Sequence, residues 1–225
     1  MIELRGVGYS YSGDALLSDI SLTLAPGSFH FLTGPSGAGK TTLLKLCYLE
    51  LKSTSGQVTL FGRPAQEIGR DGIARIRRRI GVVHQDCRFL DHLPVLDNIA
   101  LPLTVAGHPP EAHREELGEL LAWVGLEARA RALPPELSGG ERQRAALARA
   151  IVMSPDVILA DEPTGNLDWE MSLRLLTLLT ELNRLGKSVL IATHDLNLIR
   201  QAKTQVAARV LRIRNRHLVA AGADL

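Results

Sequence analysis

Gly34-Pro35-Ser36-Gly37-Ala38-Gly39-Lys40-Thr41 follows the apolar run Ser28-Phe29-His30-Phe31-Leu32-Thr33. It precedes a stretch from Thr41 to Leu51 in which Leu43, Leu44, Leu46, Leu49 and Leu51 recur at helical spacing. The order is strand, glycine-rich loop, helix, and the loop reads G-x-x-x-x-G-K-[ST], the context that a phosphate-binding loop requires. Glycines let backbone N–H groups converge on a β-phosphate at a helix N-terminus. Lys40 supplies a point charge to the β- and γ-phosphates, and the Thr41 hydroxyl completes a Mg²⁺ shell. A plain glycine-rich turn ahead of a helix is the alternative, and the full match in the right context outweighs it. The fold class expected from this stretch is α/β, of the P-loop nucleoside-triphosphatase kind.

On the N-terminal side, Ile20, Leu22 and Leu24 alternate with Ser21 and Thr23, which predicts half-buried antiparallel strands around a turn at Ser12-Gly13-Asp14. Further strands are expected at Val58 to Phe61 and Ile80 to His84, with an arginine-heavy helix from Asp71 to Arg79 between them. From Asp86 to Arg149 strand-like runs vanish. Leu117, Leu120, Leu121, Val124 and Leu126 suggest helices between proline-containing loops, so a helical lobe is inserted into the α/β core. The core resumes with Val157-Ile158-Leu159-Ala160 and Val189-Leu190-Ile191-Ala192, continuous apolar runs of the kind found in buried parallel strands, on either side of a helix from Trp169 to Leu185.

The 225 residues, 45% hydrophobic and 22% charged, suffice for one domain with a substantial core. Lys and Arg number 26 against 24 Asp and Glu, a formal charge of +2, too small for phosphate neutralisation along nucleic acid to be the main task. Cys47 and Cys87 make no disulfide framework and have no zinc-like spacing, which fits a reducing cytoplasm. No apolar run approaches the ~18 residues that span a bilayer, and no signal-peptide pattern opens the chain. The expectation is a protein neither secreted nor integral to a membrane, with peripheral attachment open. Arg75, Arg77, Arg78 and Arg79, and later Arg209, Arg212, Arg214 and Arg216, read as solvated faces that could also meet anionic lipid.

Two further segments carry chemistry. Asp161 and Glu162 end an apolar strand at the edge where open α/β sheets bind ligands, and carboxylates there are costly unless a cation waits for them. Asp161 would hold Mg²⁺ through water and Glu162 would act as general base toward an attacking water. In Leu137-Ser138-Gly139-Gly140-Glu141, Ser138 and Glu141 form a capping box, which leaves the glycines unexplained. Two glycines in a first helical turn cost roughly 1 kcal/mol each relative to Ala, a cost consistent with close approach of a phosphate to the backbone. With a phosphate loop already present, this second anion site suggests two copies of the chain meeting with nucleotide between them.

Tyr11, the loop at 34–41, Gln85, Leu137-Ser138-Gly139-Gly140-Glu141, Asp161-Glu162, Asn166-Leu167-Asp168 and His194 stand in the order and spacing of an ATP-binding cassette (ABC) ATPase. The chain resembles that family over nearly its whole length. The resemblance implies a RecA-like parallel-sheet core with an N-terminal antiparallel β-subdomain and an inserted α-helical subdomain. It implies one ABC domain over 1–225, with the β-subdomain and core at 1–85 and 151–225 and the helical subdomain with its signature motif at 86–150. ATP and Mg²⁺ would be the cofactors, and two composite sites in a head-to-tail homodimer would hydrolyse ATP to ADP and phosphate. Position by position, Tyr11 matches the aromatic that stacks on adenine, and Gly34, Pro35, Ser36, Gly37, Ala38, Gly39, Lys40, Thr41 and Thr42 match the phosphate cradle. Gln85 matches the glutamine that touches Mg²⁺ and the attacking water. Ser138, Gly139 and Gly140 match the signature that reaches the γ-phosphate of the opposite subunit. Asp168 belongs to the loop crossing the dimer interface, and His194 matches the switch histidine on the γ-phosphate.

Residues 85–103 and 160–168 place the resemblance in the branch holding cell-division, lipoprotein-releasing and macrolide-exporting cassettes, most like the cell-division members. That implies a peripheral ATPase at the cytoplasmic face of the inner membrane, docked on an integral membrane protein and controlling peptidoglycan hydrolysis, possible other division proteins included and no nucleic acid. An energiser of lipoprotein release or drug export is the alternative, and a soluble ATPase a third. Phe89, Leu90 and Leu93 would line the groove for a short helix of the membrane partner, or belong to the lobe's own core.

Overall fold

The computed structural model describes residues 1–11, 13–165 and 167–220. Strands β1 (Ile2–Ser10), β2 (Ala15–Leu24), β4 (Ser55–Leu60) and β5 (Arg63–Pro64) form an antiparallel sheet in the order β2-β1-β4-β5. Strands β3 (Phe29–Thr33), β6 (Ile80–Val83), β7 (Val157–Asp161), β8 (Ser188–Ala192), β9 (Ala208–Arg214) and β10 (His217–Ala220) form the second sheet, ordered β10-β9-β3-β8-β7-β6. All its neighbours pair in parallel except β10, which turns back on β9. Every residue of β3, β7 and β8 is buried, because both faces of the sheet are covered; hence the continuous apolar runs at 157–160 and 189–192.

One face of this sheet meets the antiparallel sheet and helices α1 (Lys40–Cys47) and α2 (Arg70–Arg78) in a core that includes Ile2, Leu4, Leu43 and Leu159. The other face packs on α6 (Trp169–Arg184) and α7 (Leu196–Lys203) through Phe31, Ile158, Leu175, Leu179 and Ile199. A third cluster joins α3 (Val95–Ala106), α4 (Arg114–Trp123) and α5 (Gly139–Ile151), with Ile99, Leu103, Leu117 and Leu121 at its centre. Helix α5 belongs to two cores, burying Ala146 and Leu147 in the second and Ala145 and Ala148 in the third. It approaches the sheet so closely that a Cβ on Gly81 of β6 would lie 2.3 Å from the Ala150 carbonyl oxygen. Only glycine fits there.

Two local expectations are refined. The helix expected to run to Leu51 stops at Cys47: Leu49 is left-handed (φ 59°), and the amides of Glu50 and Leu51 close back on the Lys45 carbonyl. Leu49 and Leu51 pack against the first core from this closing turn, so helical periodicity outlasts the helix. The strand expected at Val58 begins at Ser55 and ends at Leu60, and Phe61 is left-handed (φ 50°). The last two strands form a hairpin although Asn215-Arg216 lacks a glycine; both residues take positive φ (50° and 71°), and the Arg216 carbonyl accepts from the Ser18 amide at 2.8 Å.

Fully buried Asn98 of α3 anchors the segment that enters this lobe. Its Oδ1 accepts from the Leu90 amide at 2.8 Å, and its Nδ2 donates to the carbonyls of Leu90 (3.0 Å), Leu93 (2.9 Å) and Pro94 (3.2 Å). Asn98→Ala leaves those backbone groups without a side-chain partner. It is expected to cost about 3 kcal/mol, read as a lower urea midpoint at unchanged slope.

Candidate active site

The phosphate loop turns through Gly34 (φ 153°), Gly37 (φ 76°) and Gly39 (φ 98°), conformations that L side chains rarely adopt. Gly39 caps α1, whose first turn carries no acidic residue to compete with an anion for its free N–H groups. The loop borders a cleft of about 540 Å³ lined by Gly34, Pro35, Ser36, Gly37, Gly39, Lys40, Thr41 and Thr42 with Leu16, Gln85, Asp161, Glu162, Gly165 and His194. Ala38 instead faces a larger cavity of about 680 Å³ on the other side of the loop, where Arg212, Arg214 and Arg216 also line the wall. Lys40, Asp161, Glu162 and His194 converge in the smaller space.

Lys40 folds back over the loop. Its Nζ donates to the carbonyls of Gly34 (3.0 Å) and Pro35 (3.4 Å) and lies 3.6 Å from Glu162 Oε1. Glu162, just beyond β7, is held in the left-handed region (φ 44°), uncommon for a residue with a Cβ. Its amide donates to the Ala192 carbonyl (2.8 Å) and its own carbonyl accepts from the Gly165 amide (3.1 Å). Strain of this kind persists where the surroundings over-determine it, and here it aims the carboxylate into the cleft. There the His194 Nδ1 stands 3.1 and 3.0 Å from the two carboxylate oxygens. His194 is placed by its neighbours: the buried Thr193 hydroxyl accepts from the Asp195 amide at 3.1 Å, and Asp195 caps α7.

Asp161 is buried, and its Oδ1 has no hydrogen-bond partner. Burial pushes its carboxyl above the ordinary value; the Thr41 hydroxyl works in the other direction, the neighbouring Glu162 raises it further, and Lys40 and Lys45 lower it. A buried carboxylate oxygen without a donor, beside a threonine hydroxyl and a phosphate loop, fits a hydrated divalent cation. Gln85 is exposed and lines the same cleft, with its backbone carbonyl held by Gln143 Nε2 at 3.3 Å.

Tyr11 does not line the cleft. It is 61% exposed, which argues against a packing role; its hydroxyl lies 3.2 Å from Thr42 Oγ1, and its ring stands edge-on to Tyr9 at 4.9 Å. Ser138, Gly139, Gly140 and Asp168 are also absent from the cleft lining. They lie near one another: a Cβ on Gly140 would come 3.3 Å from the Met171 side chain, while Asp168 caps α6 by accepting from the Met171 amide at 2.8 Å. The capping box forms, with Ser138 Oγ accepting from the Glu141 amide (3.3 Å) and Glu141 accepting from the Ser138 amide (2.8 Å). That arrangement uses a lone pair of Ser138 and leaves its hydroxyl proton for another acceptor. Asn166 and Ser12, singled out with their motifs, lie outside the described residues. Phe89 packs on the second and third cores, whereas Leu90 is 40% exposed.

Sequence reasoning missed Asn98, Gln143 and Arg149. A polar residue on a helix carries no sign of which carbonyl it will meet, and each of these acts through contacts made only in the folded chain.

A phosphate loop under a strand-edge carboxylate pair, with a histidine on the second carboxylate and a second glycine turn outside the cleft, defines an ABC-type ATPase. The chain belongs to the ABC transporter family, which it matches over residues 17–165. It is 48% identical over 204 residues to the cell division ATP-binding protein FtsE of Haemophilus influenzae, covering 89% of this chain and 93% of that one. It is 43% identical to FtsE of Bacillus subtilis (92% of each chain) and 41% identical to FtsE of Escherichia coli K12 (97% of each). Among solved structures, the dimeric ATP-binding cassette MJ0796 in a post-hydrolysis state bound to ADP and Pi superposes with a TM-score of 0.86 at 32% identity, covering 97% of this chain and 96% of that one.

Proposed function

We propose that this chain is the ATP-hydrolysing subunit of a bacterial cell-division complex, docked on an FtsX-like integral membrane protein at the cytoplasmic face of the plasma membrane and controlling peptidoglycan hydrolysis. One observation carries the reading: a chain 41–48% identical to FtsE proteins over most of its length gathers in one cleft the groups ATP hydrolysis needs. Among the described residues no helix is long and apolar enough to cross a membrane, so a separate membrane subunit is part of the proposal.

In this mechanism the loop amides of residues 34–42 and Lys40 bind the β- and γ-phosphates, and Tyr11 offers its exposed ring to adenine. Thr41, Asp161 and Gln85 would hold Mg²⁺, which supplies neutralising charge to those phosphates when bound. Glu162 takes a proton from the attacking water onto its carboxylate while His194 Nδ1 donates to that carboxylate and orients it beside the γ-phosphate. Ser138, Gly139, Gly140 and Asp168, outside their own cleft, serve the cleft of a second copy, so ATP closes a head-to-tail homodimer. The division of labour follows the chain: 1–85 and 151–225 bind nucleotide, and 86–150 carries the signature and, through Leu90 and Leu93, meets the membrane subunit.

Affinity capture from detergent-solubilised membranes with the Glu162→Gln variant and ATP tests the assignment. An FtsX-like protein is the expected catch. Retention of a lipoprotein-releasing or drug-export permease instead would overturn the division role and leave the ATP site intact.

A further inference from the structure

Beyond Gln85 the chain passes through two successive left-handed residues, Cys87 (φ 57°) and Arg88 (φ 48°), neither of them glycine. Backbone in this region is costly for residues with a Cβ and needs outside support. Among the described residues the segment's own backbone bonds here are the Cys87 amide to the His84 carbonyl (3.1 Å) and the Arg88 amide to the Asp86 carbonyl (2.6 Å). The remaining support comes from α5. Arg149 donates through Nη2 to the Cys87 carbonyl and through Nη1 to the Arg88 carbonyl at 2.8 Å. Its guanidinium also lies 4.6 Å from the centre of the Phe89 ring. Nearer the start of the same helix, Gln143 donates to the Gln85 carbonyl at 3.3 Å. One helix therefore grips the carbonyls of residues 85, 87 and 88.

Arg149 has no ion-pair partner among the described residues. Burial holds its guanidinium below the ordinary arginine value, with only the Cys87 thiol opposing. A partly buried cation held by two carbonyls and an aromatic ring, with no carboxylate, is a costly arrangement, and it suits a guanidinium, whose fork spans two carbonyls where an ammonium covers one.

We infer that Arg149 is a positioning residue for Gln85: it locks residues 85–89 to the helix that starts at Ser138-Gly139-Gly140, so that the glutamine and the signature turn move as one body. The inference rests on the role given to Gln85 above. It differs from a merely structural contact in one respect, since a structural contact has no reason to depend on Gln85.

The experiment compares the full chain with Arg149→Lys, Gln85→Ala and the double variant, measuring ATP turnover at saturating Mg-ATP, nucleotide Kd and the urea midpoint. Arg149→Lys keeps the charge and loses the fork, so kcat should fall about tenfold with Kd within about twofold and an unchanged midpoint. In the double variant turnover should equal that of Gln85→Ala alone, because the clamp acts only through that side chain. Additive losses, a wild-type rate for Arg149→Lys, or a rate loss matched by a falling midpoint would each overturn the inference. If Gln85→Ala itself turns over ATP at the wild-type rate, the role of Gln85 fails first, a result distinct from failure of the clamp.

Discussion

Replacing Glu162 by Gln should lower ATP turnover by roughly 10²- to 10⁴-fold, the range that a positioned general base contributes, with nucleotide still bound. The substitution is close to isosteric. The amide oxygen can face Lys40, and the amide nitrogen can donate to His194 Nδ1 once the ring takes the tautomer protonated on Nε2, so the two contacts that the carboxylate makes at 3.6 Å and 3.0 Å retain partners. The left-handed backbone at residue 162 is equally open to Gln and Glu, and the bonds to Ala192 and Gly165 are main-chain bonds that do not involve the side chain. What is lost is the proton acceptor. With hydrolysis blocked and the phosphate contacts kept, ATP should accumulate in a closed dimer, visible as an earlier-eluting species that appears with ATP and not with ADP. Turnover at the original rate would remove Glu162 from its role.

Lys40→Ala should act on binding itself. The ammonium is the one cation in the loop, and its present partners are two carbonyls and the edge of Glu162, all weaker attractions than two phosphates. Removing it should weaken ATP affinity by about 3 kcal/mol, roughly a hundredfold in Kd, as measured by equilibrium titration with Mg-ATP. The fold should survive, because α1 is capped through the Gly39 backbone and its apolar face of Leu43, Leu44 and Leu46 is untouched. Unchanged affinity would count against the loop. Glu162→Gln and Lys40→Ala thus separate: one keeps ATP and loses chemistry, the other loses ATP.

Much of the architecture was legible beforehand. The alternation of residues 20–24, the unbroken apolar runs at 157–160 and 189–192, and the leucines between 117 and 126 each correspond to an element of the expected kind, since burial on one face, two faces or a helical stripe leaves a period in the sequence. Ends of elements were less legible. Leu49 and Leu51 continue the helical spacing and yet belong to a closing turn, because an apolar side chain can reach the same core from either conformation. The Asn215-Arg216 turn forms without glycine, the flanking strands and the bond from Ser18 holding residues that would otherwise avoid positive φ.

The sequence by itself determined the phosphate loop, the carboxylate pair after β7 and the capped glycine turn at Ser138. Their chemistry is made by residues adjacent in the chain, so spacing alone specifies it. Only the tertiary structure decided that Glu162 meets both Lys40 and His194, that Asp161 keeps an oxygen without a donor, and that Arg149 and Gln143 grip the segment behind Gln85. Those relations join the ends of separate strands and the face of one helix to a distant loop. They arise from how parallel strands align their C-terminal edges and how closely α5 approaches the sheet, and neither leaves a local pattern to read.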